Sequence, residues 1–152
     1  MAKLKRDGSK AGGKERRQVA ALPWRRGVSG VEILLVTSRD TGRWVVPKGG
    51  LMAKMTEAEA AAQEALEEAG VEGSIAAEPV GVFHYLKRLK RRAARPMVVS
   101  VFPLEVLRER DAWQEAAERE RQWMAADDAA RSVDEPDLSA LILAFASGAD
   151  PD

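Results

Sequence analysis

The hydrophobic pattern changes period along the chain. Between residues 18 and 50 the apolar positions come in short runs, "QVAALPWR" (18–25), "VEILLVTS" (31–38) and "RWVVPKGG" (43–50). Runs of this length, rich in β-branched residues, read as strands, the second of them buried. Pro23 in the first argues for an edge position or a bulge, because proline cannot donate to a ladder. "DTG" (40–42) is turn chemistry, and the third run ends in a Gly-rich corner. The helical period then takes over. Thr56 followed by Glu59 forms a capping box, which predicts a helix from near Glu57, and Gly70 is its expected stop. Ala58, Ala61, Ala62, Ala65, Leu66 and Ala69 recur at three- and four-residue spacing as one apolar face of small residues, able to pack close to a sheet.

Past Gly70 the strand pattern returns in "EPVGVFHYLKRL" (78–89) and "RPMVVSVFPLEVL" (95–107), joined by the basic connection "KRLKRRAAR" (87–95). "RERQWM" (119–124) reads as one more short strand. "ADDAARSV" reads as a helical turn or two, and "DEPDLSALILAFA" (134–146) as a C-terminal helix with Pro136 near its start. Strands, helix, strands, helix predict the α/β (α+β) class: a mixed β-sheet in an α/β/α sandwich. The expected domain covers 15–147, after a disordered basic segment over 1–14 and before a tail over 148–152.

Composition narrows the function. The 152 residues suffice for one domain with a real core, and 45% apolar with 32% charged residues fits a soluble protein. Lys+Arg and Asp+Glu are 24 each, which argues against a dedicated nucleic-acid binder. The absence of cysteine excludes disulfides and thiolate zinc sites. The basic, polar N-terminus has no apolar stretch behind it, so it does not read as a secretory signal. The longest apolar run, around "MVVSVFPL", is too short to span a bilayer. The expectation is a soluble cytoplasmic protein with no membrane partner.

One stretch asks for chemistry. In "AAAQEALEEAGVEG" (60–73), Glu64, Glu67 and Glu68 fall within a third of the helix circumference, roughly opposite the alanine face. Like charges so close repel, and the second half of a helix disfavours negative charge. No Lys or Arg occurs between Lys54 and Lys87 to balance them. From the residues alone two readings stand: a glutamate-rich solvated face, or hard oxygen ligands gathered for Mg²⁺ or Mn²⁺. The "PKGG" corner before the helix and "GV" at its end favour the second.

With these residues in place the sequence resembles a known family. Gly49, Glu64, Glu67, Glu68, Gly70 and Val71 stand at the spacing of the Nudix box, G-x5-E-x7-R-E-U-x-E-E-x-G-U with U aliphatic. "EILLVTSRDTGRWVVPKGG" resembles the segment before the box in diphosphoinositol polyphosphate phosphohydrolases. "ERRQVAALPWR" is similar to their first strand, and "ERERQWM" to a late segment containing arginine. The likeness covers about residues 15 to 146. Two positions depart from the pattern: Met55 replaces its first glutamate and Gln63 its arginine. We read these as a joint change, since losing one partner of a charge pair strands the other, whereas replacing both is nearly neutral.

The resemblance implies a Mg²⁺- or Mn²⁺-dependent hydrolase in which water attacks phosphorus in a phosphoanhydride. It implies that Glu64 and Glu68 bind the metal directly, that Glu67 is a further ligand, and that Gly49 adds its carbonyl. Glu64 is the chosen general base, and the catalytic set is Glu64, Glu67 and Glu68. Arg16, Arg17, Ser38, Arg39, Arg43, Lys48 and Arg121 match positions where the related enzymes place groups near the substrate. Implied substrates are dinucleoside polyphosphates, diphosphoinositol polyphosphates or inorganic polyphosphate. Alternatives are cleavage of nucleotide sugars, nucleoside triphosphates or RNA 5′ ends, and a non-catalytic ligand sensor on the same fold. The basic run 87–95 reads either as a lid or as a solubilising connection. His84 is assigned no role, and Trp44 and Trp123 are read as core residues.

Overall fold

The computed structural model describes residues 16–89 and 93–149. The segment expected to be disordered and the centre of the basic connection lie outside the described residues. In chain order come β1 (Arg16–Gly27), β2 (Gly30–Thr37), β3 (Trp44–Val45), β4 (Lys48–Gly50), α1 (Glu57–Ala69) and β5 (Val71–Ile75). They are followed by β6 (Gly81–Lys87), β7 (Arg95–Glu109), β8 (Arg121–Ala125), α2 (Ala126–Ser132) and α3 (Pro136–Ala149).

The strands form one mixed sheet along the path β3-β2-β1-β7-β5, with β4 also on β1, β6 on β7 and β8 on β2. β1 and β7 run parallel from Arg16–Met97 to Trp24–Glu105, and their other neighbours pair antiparallel. Alternation along β1 sends successive residues to opposite faces. Val19 and Ala21 join Leu34, Phe102 and Leu104 under Ala58, Ala61, Ala65 and Ala69 of α1. Ala20 and Leu22 join Ile33, Leu35, Phe83 and Val99 under Ala129, Leu138 and Ile142 of α2 and α3. Leu138 and Ile142 are essentially fully buried, each worth about 1.5–3 kcal/mol. This is the expected α/β/α sandwich. None of the described helices is long and apolar enough to cross a membrane.

Four expectations change. Pro23 lies neither at an edge nor in a bulge, because β1 is an interior strand. On one side Ala21 N–H donates to Pro47 (3.0 Å), and pairing with β2 begins at Trp24–Ile33. N–H groups two residues apart point the same way, so the donor Pro23 lacks falls between those two partners. The strand β5 was not expected, since "VEGSI" has no clean alternation and its register shifts between Glu72 and Gly73. α3 runs through Ala149, past the predicted start of the tail. Finally, the buried side of α1 includes Ala60, Glu64 and Glu68, while Ala62 and Leu66 are only half-buried. The glutamates therefore do not all oppose the alanines.

Candidate active site

Helix α1 carries a capping signal of its own at each end. The Thr56 hydroxyl accepts the Glu59 N–H (3.0 Å), and the Glu59 carboxylate accepts the Thr56 N–H (2.9 Å). Gly70 ends the helix at φ 68°, a left-handed conformation that side chains disfavour. Pairing of Gly49 with Val19 brings the β4 corner against the helix. A Cβ at Gly49 would stand 2.2 Å from a Glu64 carboxylate oxygen, so the carboxylate occupies space that only glycine leaves.

Glu68 lies one turn further on. It accepts the Lys48 N–H at 3.2 Å and stands 3.5 Å from Arg119. Both carboxylates are buried, and they are within hydrogen-bonding reach of each other. Burial raises the pKa of each. For Glu68 the nearby Arg119 opposes the rise and the charge of Glu64 adds to it. Two buried carboxyl groups in contact call for a shared proton or a cation between them.

Glu67 does not join them. It accepts the Gln63 side-chain amide at 2.8 Å and faces a separate cavity of about 210 Å³ beside Arg110 and Trp113. Among the described residues no three acidic or imidazole side chains converge as a metal cluster. The fold brings together Glu64, Glu68 and the Gly49 main chain.

Beside Glu68 opens a cavity of about 650 Å³. Ser38, Arg39, Arg43 and Lys48, four of the residues matched to substrate positions, line it together with Tyr85 and Arg119. Three of its arginines already hold carboxylates. Arg39 donates to Glu118 (3.0 Å), Arg43 meets Glu135 (3.0 Å), and Arg119 meets Glu115 (2.7 Å). One Arg43 nitrogen, Nη1, is buried without a hydrogen bond, 3.6 Å from Asp134. Lys48 Nζ rests 4.9 Å from the centre of the Tyr85 ring, and burial lowers its pKa below the ordinary lysine value. The Tyr85 hydroxyl donates to Gln18 at 2.7 Å.

Three expected substrate residues stand elsewhere. Arg16 is exposed at the start of β1. Arg17 bonds Glu57 (2.8 Å) and Ser100 (3.4 Å). Arg121 lies behind α1, donating to Ala69 and Arg110 carbonyls. Arg119, Glu115, Tyr85 and Glu135 were not singled out from the sequence. "ERERQWM" offered two arginines, and the earlier one reaches the cavity. Of the basic run, Lys87 and Arg88 line the cavity. His84 meets Asp137 through both its N–H (2.9 Å) and Nδ1 (3.1 Å). Trp44 and Trp123 pack against the two cores, one on each.

Comparison with known proteins identifies the family. A family model described as the NUDIX domain matches residues 14–145. The chain belongs to that family. It is 36% identical over 107 residues to Nudix hydrolase 12, mitochondrial, of Arabidopsis thaliana, covering 67% of this chain and 52% of that protein. It is also 36% identical over 101 residues to diphosphoinositol polyphosphate phosphohydrolase 3-alpha of Mus musculus, covering 64% and 57%. The chain thus spans little more than half the length of these relatives. A C. elegans Ap4A hydrolase, solved as a binary complex, shares the fold with TM-score 0.66 at 20% identity, over 87% of this chain and 96% of that one.

Proposed function

We propose that this chain is a divalent-metal-dependent hydrolase of phosphoanhydride bonds, acting on dinucleoside polyphosphates, diphosphoinositol polyphosphates or related phosphate-rich molecules. The observation that carries the reading is the pair of neighbouring buried carboxylates, Glu64 and Glu68, the second of which lines a cavity together with arginines and lysines. The donor set suits a hard cation: two carboxylates, and the Gly49 corner against which Glu64 lies. Glu64, Glu68 and the Gly49 carbonyl would hold Mg²⁺ or Mn²⁺, with Glu67 outside the set while Gln63 engages it. When bound, the cation neutralises phosphate charge and lowers the pKa of its water. Glu64 receives the proton of the attacking water. Lys48, Arg39, Arg43 and Arg119 bind the phosphates, and their carboxylate partners hold the guanidinium groups oriented before substrate arrives.

Among the described residues Tyr85 is the one aromatic ring lining the cavity, and Lys48 lies over it. The cavity offers charge rather than a stacking surface. Its cations support substrates with more phosphates over nucleotide sugars, and the names of two relatives point the same way. The test is a phosphate-release screen with Mg²⁺ or Mn²⁺ across dinucleoside polyphosphates, diphosphoinositol polyphosphates, nucleotide sugars and nucleoside triphosphates. Release from the first two classes that disappears with EDTA is expected. A folded protein inert toward every class would overturn the proposal.

A further inference from the structure

The last four carbonyls of an α-helix have no partner within the helix. In α1 they carry an added burden, because Glu64, Glu67 and Glu68 crowd the end where the dipole disfavours negative charge. The helix has no basic residue of its own in the last turn. The segment after β7 supplies what is missing. Gly70 N–H closes on Leu66 (3.1 Å) and Glu115 N–H on Glu67 (3.0 Å). The Trp113 indole N–H donates to the Glu68 carbonyl (3.1 Å), and Arg121 Nη1 to the Ala69 carbonyl (2.9 Å). All four end carbonyls are answered, three of them by residues 113–121.

Arg121 and Trp113 form a unit. The guanidinium lies 3.9 Å from the Trp113 ring centre, and its Nη2 donates to the Arg110 carbonyl at 2.8 Å. The same indole packs so closely on Gly70 that a Cβ there would come within 2.6 Å of it. The clasp also reaches the front of the helix, since Glu115 holds Arg119 and Arg119 stands beside Glu68.

We infer that Arg121 and Trp113 are positioning residues for the carboxylate site: they fix the last turn of α1 and so set the placement of Glu68 against Glu64. This rests on the proposed metal-dependent activity and assigns Arg121 a task other than substrate binding. The fork geometry matters as well as the charge, because one guanidinium spans Ala69 and Arg110 while an ammonium is a single point. A carbonyl left open at the back loosens the turn that carries Glu68 on its front. Partners that orient metal ligands typically change metal affinity or rate by about 10- to 100-fold when removed.

The experiment measures Mn²⁺ binding by electron paramagnetic resonance, and kcat and KM on diadenosine tetraphosphate, for the intact chain. Arg121→Lys and Trp113→Phe are the test variants, chosen as mild changes, with circular dichroism confirming folding. Glu68→Gln is the control. The expected result is Mn²⁺ binding about tenfold weaker and kcat about tenfold lower in both variants, with KM for substrate within twofold. If wild type binds Mn²⁺ no better than Glu68→Gln, the metal-site reading itself fails. If wild type binds, Glu68→Gln does not, and the two variants match wild type in Mn²⁺ affinity and kcat, the inference fails alone. A rise in KM with kcat unchanged also overturns it and returns Arg121 to the substrate.

Discussion

The two sides of α1 obey opposite rules. Behind the helix every end carbonyl has a donor, and an arginine faces the negative end of the dipole. In front, two buried carboxyl groups press together with their pKa values raised by burial. Stability alone would not build the front, since buried like charges oppose folding. It survives because the back and the sheet beneath hold it. The frustrated side is where a cation or a phosphate gains most by binding, so function resides in the contrast between the sides.

The largest expected effect comes from destroying the front. Glu64→Gln and Glu68→Gln keep shape and remove charge, and each should lower kcat by at least about 100-fold while the protein stays folded. Steady-state hydrolysis with circular dichroism decides the matter. Near-native turnover in either folded variant would remove that glutamate from the mechanism.

Next is the energetic mark of the same frustration. The pKa of Glu68 is pushed up from 4.5 to about 8, first by burial and also by Glu64. A group whose folded pKa is raised contributes stability that is complete below its unfolded pKa and lost as pH climbs through the folded one. Metal-free protein should therefore melt at lower temperature as pH rises from near 4.5 to about 8. Glu68→Gln should flatten that slope, and saturating Mg²⁺ should restore wild type at the upper end. A change of roughly 3 °C or more is expected, since about 1 kcal/mol moves Tm by ~2–4 °C at this size. Scanning calorimetry with and without Mg²⁺ measures it, and equal slopes in wild type and Glu68→Gln would contradict the account.

The difference between the sides also explains what was legible in the sequence. The capping box, Gly70 and the apolar runs are local signals, and they located α1 and most strands. The Nudix-box spacing pointed to Gly49, Glu64 and Glu68 as neighbours, because a motif within one corner and one helix is written in consecutive residues. The back of the helix is written elsewhere: Trp113 and Arg121 reach Glu68 and Ala69 across about fifty positions of chain. No periodicity connects residues so far apart. Resemblance assigned Arg121 to substrate and passed over Arg119, two residues earlier, which the loop directs to the cavity. Glu67 shows the complementary limit. Its place in the box is intact, yet Gln63 turns it to the other side.

A moderate effect should come from the cavity wall. Arg39 is exposed and Arg43 half-buried, and both face the cavity. Arg39→Ala and Arg43→Ala should lower kcat/KM on diadenosine polyphosphates by about three- to tenfold, more for longer phosphate chains and less at high salt. Arg43 should matter more, since Nη1 has no hydrogen bond without a ligand. Comparing tri-, tetra- and pentaphosphates with ATP at two ionic strengths tests this. Equal losses on every substrate would show that these arginines do not read chain length.

The smallest expected effect concerns the two departures from the box. Gln63 is engaged by Glu67, one turn along the same helix, and Met55 is substantially exposed. An amide–carboxylate pair at this spacing is worth about 0.2–0.5 kcal/mol. Gln63→Leu should therefore cost little stability and change kcat less than about threefold, because Glu67 lies outside the proposed metal set. A tenfold change in kcat would show that Gln63 governs a working ligand. Gln63→Arg should be tolerated alone, since Glu67 is present to pair with it. Adding Met55→Glu offers the arginine a second carboxylate, and solvent at position 55 keeps the gain small. The double-mutant cycle should show a favourable coupling of no more than about 0.5 kcal/mol in urea unfolding, with kcat unaffected. If the two changes are strictly additive, positions 55 and 63 do not interact, and the two departures arose independently.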